Sequence, residues 1–524
     1  MKKTYYPKRK LGLIVKTIQD EIQNFFVDAS NFHGNCDAVY FPENAEEVAQ
    51  ILETANTSKT KVTVAGNHTG LTGSGIPQGG IVISTEKLNH LVEINTKENF
   101  ATVEPGVLLK DFQNELKRPG FFYPPDPTET NCFIGGTIAT NASGAKTFKY
   151  GATRNFVLEL EIILPDGDKL SLKRGEVFAE KNVLSLQTDN GNVFSLQLPN
   201  YKMPDVKNAS GYFVSETMDA IDLFIGSEGT LGIITKAKLR ILPLPFDVLS
   251  CVAFFPDEKE GLAFIEEART LSYSSRTANS FESINARALE FFDSRTLEFL
   301  RKDYSQVDEK AACAVWFEQE LTTQNEDTAA ELWLELIMKH SGDVDKAWIG
   351  VDEKDKALLH EFRHAISSKV NEYISKNNLK KLGTDTAVPD EVFSNYYSYC
   401  KTLVEKEKID YVAYGHFGNS HLHLNMLPKN EDEFQKGKII YKMICQKAVE
   451  LGGTVSAEHG IGKSKREFLL TMYGDEAIQG MIKLKKVLDP NMILGSGNLF
   501  ETSTKGHNAN PKQQISNPKN TKHK

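Results

Sequence analysis

The chain has 524 residues, a formal net charge of −9, 40% hydrophobic residues and 25% charged residues. That length exceeds one ordinary core and predicts two or more domains. The composition is that of a soluble globular protein, and the acidic balance excludes nucleic acid as the main partner, because phosphate binding needs a basic surface.

Taken in chain order, residues 1–35 read as an N-terminal extension whose basic start is followed by no apolar run of signal-peptide length. A strand is predicted at 37–42, a helix at about 44–55, and a second strand at 61–65 running into residues 66–75, Gly-Asn-His-Thr-Gly-Leu-Thr-Gly-Ser-Gly. Closely spaced glycines let backbone N–H groups approach an anion, which suits a pyrophosphate. The pattern is not the GxGxxG dinucleotide fingerprint, because strand-like residues 81–83 follow it instead of a helix. By itself such a loop is equally a tight turn.

Further small-residue segments follow. Residues 124–129, Pro-Pro-Asp-Pro-Thr-Glu, are rigid and extended. Residues 135–144, Gly-Gly-Thr-Ile-Ala-Thr-Asn-Ala-Ser-Gly, supply small side chains and hydroxyls before the stretch 150–154. Residues 222–235, Asp-Leu-Phe-Ile-Gly-Ser-Glu-Gly-Thr-Leu-Gly-Ile-Ile-Thr, place glycines ahead of a strand at 233–244. Together they outline a groove for a large, flat, phosphate-bearing ligand lying against backbone.

In the second half, Leu358, Leu359, Phe362, Ile366 and Val370 have amphipathic helical spacing. Residues 415–423 read Gly-His-Phe-Gly-Asn-Ser-His-Leu-His and residues 458–462 read Glu-His-Gly-Ile-Gly, so four of the chain's 12 histidines fall in two short segments. Alternation at 421–425 predicts a strand with His421 and His423 on one face, and His416 precedes a turn that could fold it back. Imidazoles plus a carboxylate are the donor set for zinc or a similar divalent ion, although such histidines are also ordinary satisfied polar residues. No run approaches the ~18 apolar residues needed to span a bilayer. Six scattered cysteines with no CxxC pair argue against an iron–sulfur or disulfide scaffold and fit a reducing, cytoplasmic setting. Residues 501–524 read as a disordered basic tail, which allows peripheral contact with an anionic membrane surface.

These segments, in this order and spacing, resemble the vanillyl-alcohol oxidase/PCMH flavoprotein superfamily, in its D-2-hydroxyacid dehydrogenase branch, over roughly residues 36–500. The resemblance implies an α+β fold. A PCMH-type FAD-binding domain would occupy 36–245, an α+β substrate and metal domain 246–455, and a helical segment returning to the flavin 456–500. It implies FAD and a divalent metal, zinc foremost, with manganese or iron as alternatives. The activity would be oxidation of a D-2-hydroxy acid to the 2-oxo acid. Electrons would pass to a quinone, an electron-transfer flavoprotein or a cytochrome, since no nicotinamide fingerprint is present. A homodimer is compatible with this reading.

Carried over position by position, the family's loop RGGGTGLSGG corresponds to residues 65–74. Ala65 replaces its arginine and Asn67 and His68 replace two glycines. Gly66, Asn67, His68, Thr69, Gly70 and Leu71 are then expected to hold the FAD pyrophosphate, and His68 stands one position short of the histidine that carries a covalent flavin in some relatives. Pro125, Gly136, Thr137, Thr140, Asn141, Ser143, Gly144 and Gly151 are expected around the isoalloxazine and ribityl groups, and Glu228, Gly232 and Ile234 near the adenine end. Against the family's GHxGDGNxH, the chain keeps His416 and His423 but has Asn419, Ser420 and His421 between them. His416, His423 and Glu458 become the expected metal ligands, His459 the general base and Arg363 the carboxylate-binding cation.

Two departures bear on substrate and redox tuning. Gly383 stands where hydroxyglutarate-specific relatives carry a lysine, and Lys380 and Lys381 are out of register, so a D-lactate-like monocarboxylate is expected. Gly495, Ser496 and Asn498 replace Asn, Pro and Lys of the family's DPxGxxNPGK. Two other readings share these residues: a redox-neutral transferase resembling alkyl-dihydroxyacetone-phosphate synthase, and a non-catalytic flavin-binding relative.

Overall fold

The structure is a computed structural model that describes residues 12–501 apart from 281, 378 and 380. The basic start (residues 1–11) and the predicted tail from 502 onward lie outside the described residues.

A four-stranded sheet opens the chain, in the order Ile14–Lys16, Ala38–Phe41, Ile81–Ser84, Val62–Ala65. The last three strands are parallel, so each connection must cross over. The helix Ala45–Ser58 makes one crossover. The Asn44 side chain caps it by accepting from Glu47 N, and Lys59 in the left-handed conformation ends it. The glycine-rich stretch after Ala65, which contains no helix, makes the other. Residues before 36, read from sequence as an extension, contribute the outer strand Ile14–Lys16.

A five-stranded antiparallel sheet follows, in the order Leu91–Asn95, Phe100–Val103, Ile233–Arg240, Val157–Ile163, Lys169–Lys173. Its core also takes Leu469, Met481, Leu484 and Leu488 from the late helix Arg466–Leu488. The C-terminal segment thus returns to the first half of the chain.

The second half is built on an eight-stranded sheet. Its strands alternate between two cores, as period-two geometry requires. On Asp247–Phe255, Cys251, Ala253 and Phe255 face the helices Glu258–Ala278, Glu326–Lys339 and Phe393–Lys406. Val252 and Phe254 face the helices Ser294–Leu300 and Glu353–Lys376. This alternation decides where the polar residues go. On Ala286–Asp293, Ala288 and Phe292 face the second core, so Glu290 does too. On His421–Met426, Leu422, Leu424 and Met426 face the first core, which turns His421, His423 and Asn425 to the other face. The helix Glu353–Lys376 buries Leu359, Phe362, Ile366 and Val370 together with Arg363. It therefore brings one cation to the face that carries one carboxylate and two imidazoles.

Candidate active site

A cavity of about 1600 Å³ runs from the glycine-rich loop to this sheet face. Gly66, Asn67, His68, Thr69, Gly70, Leu71, Gly136, Thr137, Thr140, Ser143, Glu228, Gly232 and Ile234 line it, as do Arg363, His416, His423, Glu458 and His459. A side chain added at Gly136 would meet no atom within 4 Å, so this glycine leaves open space inside the cavity. The Ser143 hydroxyl is buried there without a hydrogen-bond partner. Open glycine backbone and an orphaned hydroxyl fit a large ligand with polar edges, as a flavin dinucleotide is.

Four of the residues expected at the cofactor are placed outside this lining, with other contacts. The Asn141 side chain accepts from Arg154 N at 2.9 Å. A Cβ on Gly144 would fall 2.1 Å from the Asp126 carbonyl. Gly151 has a φ of +83° and lies over Asn155. Pro125 belongs to an irregular stretch with neither helix nor strand. His68 is in the left-handed region at φ 56° and sets its ring edge-on to Phe25, with centroids 4.8 Å apart. Residues 28–31, not singled out in the sequence, also reach this part of the cavity.

At the far end, Glu458 is surrounded by imidazoles. His416 Nε2 is 3.2 Å from its Oε2, and His423 Nε2 is 3.3 Å from its Oε1. The outer nitrogens are tied down. His416 Nδ1 lies 2.7 Å from Glu290 Oε1, an acceptor, and His423 Nδ1 lies 3.3 Å from the Thr384 carbonyl. With the proton on each Nδ1, toward these acceptors, both Nε2 lone pairs point to the Glu458 carboxylate; Arg363 Nη2 also lies 3.3 Å from His416 Nδ1. His416, His423 and Glu458 offer donor atoms within 4.8 Å of one another, along with His421. Two imidazole lone pairs and a carboxylate fit a divalent ion of the zinc, manganese or iron type. Burial opposes ionisation of Glu458, but Lys207, His416 and His423 outweigh it and hold the carboxyl well below the usual range. Burial lowers His423, while at His416 burial is outweighed by the Glu290 and Glu458 carboxylates together, which raise the pKa.

His421 has a different task. Its Nε2 is 2.9 Å from Asp385 Oδ1, and its Nδ1 faces Lys207 Nζ at 3.2 Å. Both nitrogens are committed, one as donor to the carboxylate and one as acceptor from the ammonium. These contacts make His421 a hydrogen-bonding residue.

Asp385 is fully buried and gathers the segment that carries Glu458 and His459. It accepts from Ser456 Oγ at 2.6 Å, Lys465 Nζ at 2.9 Å and His459 N at 3.0 Å. His459 Nδ1 lies 3.3 Å from its Oδ2, and the ring stacks on His423 with centroids 5.3 Å apart. Burial would raise the Asp385 carboxyl, yet His459, Lys465 and His421 hold it well below the usual range. The arrangement turns His459 Nε2 away from Asp385 and toward Glu458, 3.4 Å from its Oε1, so a proton acceptor there sits beside the carboxylate that the imidazoles surround.

Arg363 is 8% exposed. Its Nη2 is 2.7 Å from Glu290 Oε2, and its Nη1 donates to Thr128 Oγ1 at 2.9 Å. Glu290 thus bridges Arg363 and His416. Glu228, expected near the adenine end, accepts from Ile461 N and Gly462 N at 2.7 Å each and from Ser74, which fastens the Glu458–His459 segment to the first domain.

Glu290, Lys207 and Asp385 carry no local motif. The one signal for Glu290 is a lone carboxylate inside the apolar run 288–292, Ala-Leu-Glu-Phe-Phe. Lys381, out of register with the family's lysine, also lines this cavity.

Comparison with known proteins gives the family. Residues 36–173 match the FAD binding domain family and residues 264–499 match the C-terminal domain of FAD linked oxidases. A D-lactate dehydrogenase of Archaeoglobus fulgidus is 30% identical over 469 residues, covering 87% of this chain and 89% of the relative. A D-2-hydroxyglutarate dehydrogenase of Xanthomonas citri pv. viticola is 29% identical, covering 89% of each. The solved structure of 4-ethylphenol oxidase from Gulosibacter chungangensis has a TM-score of 0.66 at 18% identity, covering 93% of this chain and 94% of that one; it shares the fold.

Proposed function

The chain belongs to the FAD-linked oxidases, and from that premise we propose that it oxidises a D-2-hydroxy acid to the 2-oxo acid. The observation that carries this reading is the Asp385–His459 pair set beside Glu458, His416 and His423 at the end of the long cavity. The names of the relatives support the same chemistry.

Residues 66–71, Gly136 and Ser143 would hold FAD, and His416, His423 and Glu458 would hold a divalent ion. When bound, the flavin supplies a hydride acceptor and the ion supplies a Lewis acid that makes the substrate hydroxyl more acidic. The protein's own groups do the rest. Arg363, fixed by Glu290 and Thr128, supplies the cation for the substrate carboxylate. His459 takes the hydroxyl proton at Nε2 while Asp385 holds the other side of its ring. Lys465 and Ser456 keep Asp385 ionised and oriented. The electron acceptor would be a quinone, an electron-transfer flavoprotein or a cytochrome. No helix among the described residues is long and apolar enough to cross a membrane.

The test is anaerobic absorbance of the metal-replete flavoprotein as D- and L-hydroxy acids are added in turn. Bleaching of the flavin by a D-acid and not by its L-enantiomer supports the reading. A flavin that stays oxidised with every acid overturns it and favours the redox-neutral transferase.

A further inference from the structure

The helix Glu353–Lys376 carries a further pair of imidazoles. Residues 360–364 read His-Glu-Phe-Arg-His, and the four-residue spacing sets His360 and His364 on one helix face. The backbone that bears them is held in place, because the helix buries Leu359, Phe362, Arg363, Ile366 and Val370 and Asp352 caps its start. The ring centroids are 4.3 Å apart, and His360 Nε2 stands 3.1 Å from His364 Nε2. Among the described residues no other group hydrogen-bonds either ring. His360 is exposed, and His364 lines both the long cavity and an outer groove of about 670 Å³, so solvent reaches the pair.

Two nitrogens at this separation suit a shared ion. Zinc–nitrogen bonds of about 2.0–2.1 Å put two donors roughly 3.3 Å apart at a tetrahedral angle and roughly 2.9 Å apart at a right angle. The observed distance falls between these values. The spacing is also that of helical His-Glu-x-x-His segments, in which both imidazoles hold one zinc. A hydrogen bond from one neutral imidazole to the other satisfies the same distance, and an ion would take the place of its single proton. Protonation does not compete for the pair: burial, then Arg363 and His360, push His364 down to about 2, and burial, then Lys146, lowers His360. The surrounding charges are mixed. Arg363 and Lys146 oppose a cation, while Glu290 acting on His364, and Glu318 and Asp126 acting on His360, favour one. Glu361 is engaged elsewhere, its Oε1 accepting from the Tyr304 hydroxyl at 3.2 Å.

We propose that His360 and His364 chelate a divalent ion of the zinc, nickel or copper type through their Nε2 atoms, at a site separate from the cluster of His416, His423 and Glu458. Water fills the remaining positions, since Glu361 is committed to Tyr304. With the charges around the pair nearly balanced, the two nitrogen bonds carry the binding. Ions that favour imidazole therefore bind, whereas magnesium and calcium, which favour oxygen, do not. The inference stands apart from the hydroxy-acid reading, because neither histidine has a part in the proposed reaction.

The experiment titrates zinc into the full-length flavoprotein against a chromophoric chelator, with magnesium in excess, for the wild type, His360→Gln, His364→Gln and His364→Cys. The wild type is expected to bind one more zinc per chain than either glutamine variant, or to bind that equivalent about tenfold or more tightly, since losing a ligand costs at least what losing a ligand's supporting contact does. His364→Cys keeps a zinc-binding atom at the position and is expected to retain the extra equivalent. Unchanged flavin content in the variants shows that they fold. Equal zinc number and affinity in the wild type and both glutamine variants overturns the inference. So does a loss that is as complete in His364→Cys as in His364→Gln, or an extra equivalent that magnesium displaces.

Discussion

The ammonium of Lys207 lies 2.8 Å from Oε2 of Glu458, and the lysine side chain is only 2% exposed. Glu458 thus already holds a cation on one oxygen while His416 and His423 approach it from the other directions. Lys207 is the competitor a metal ion meets there. Replacing it with methionine removes the charge and keeps much of the volume. Lys207→Met is expected to bind zinc about tenfold more tightly, about 1.4 kcal/mol, measured by competition with a chromophoric chelator. Weaker binding would mean that Lys207 orients the carboxylate for the metal instead.

His459 and Asp385 form a base and its holder. His459→Gln should keep flavin and metal but lose roughly 10²–10⁴-fold in the rate of flavin reduction. Asp385→Asn should lose a similar factor and also shift the pH profile of the reduction, because the ring loses its fixed orientation. Near-normal reduction in His459→Gln would remove this residue from the mechanism.

The ring of His68 packs edge-on against Phe25; burial lowers its pKa, against the pull of Asp28. It is held as a packing residue. The flavin is accordingly expected to be released in full by acid precipitation, and yellow colour that stays in the pellet would show a covalent link.

Asp293 caps the helix Ser294–Leu300 by accepting from Thr296 N at 2.7 Å, and burial pushes its carboxyl up to about 6. A folded pKa raised above the unfolded value near 3.8 gives stability that is present below about pH 4 and lost as pH rises through 6. Asparagine keeps the cap and has no charge to bury. The apparent Tm of Asp293→Asn relative to the wild type should therefore rise between pH 4 and pH 6.5, reflecting at most about 3 kcal/mol. A difference in Tm that is flat with pH would contradict this.

The elements were legible where periodicity carries them. The apolar positions from Leu358 to Val370 mark the helix that holds Arg363, and the alternation after Ser420 marks the strand that holds His421 and His423. Glycine spacing pointed to the loop at 66–75 because the physical need, backbone close to an anion, is written in the residues themselves. Glu290, Asp385 and Lys207 were not legible. Each acts through a partner more than 70 positions away, Glu290 on Arg363 and His416, Lys207 on Glu458, and Asp385 on Lys465. One-dimensional spacing cannot encode such contacts.

The strand Val62–Ala65 finds its last neighbour at the other end of the chain, through Val62 N to the Ile493 carbonyl at 2.8 Å and Gly495 N to the Val62 carbonyl at 2.9 Å. Lys463 likewise reaches back to the carbonyls of Thr72, Gly73 and Ser74. On a ribosome adding about 5–20 residues each second, roughly 20–90 s separate the emergence of these partners. Through that interval the nascent chain carries a bare strand edge and an unclosed loop. A chain stopped short of residue 495 leaves that edge without its last neighbour.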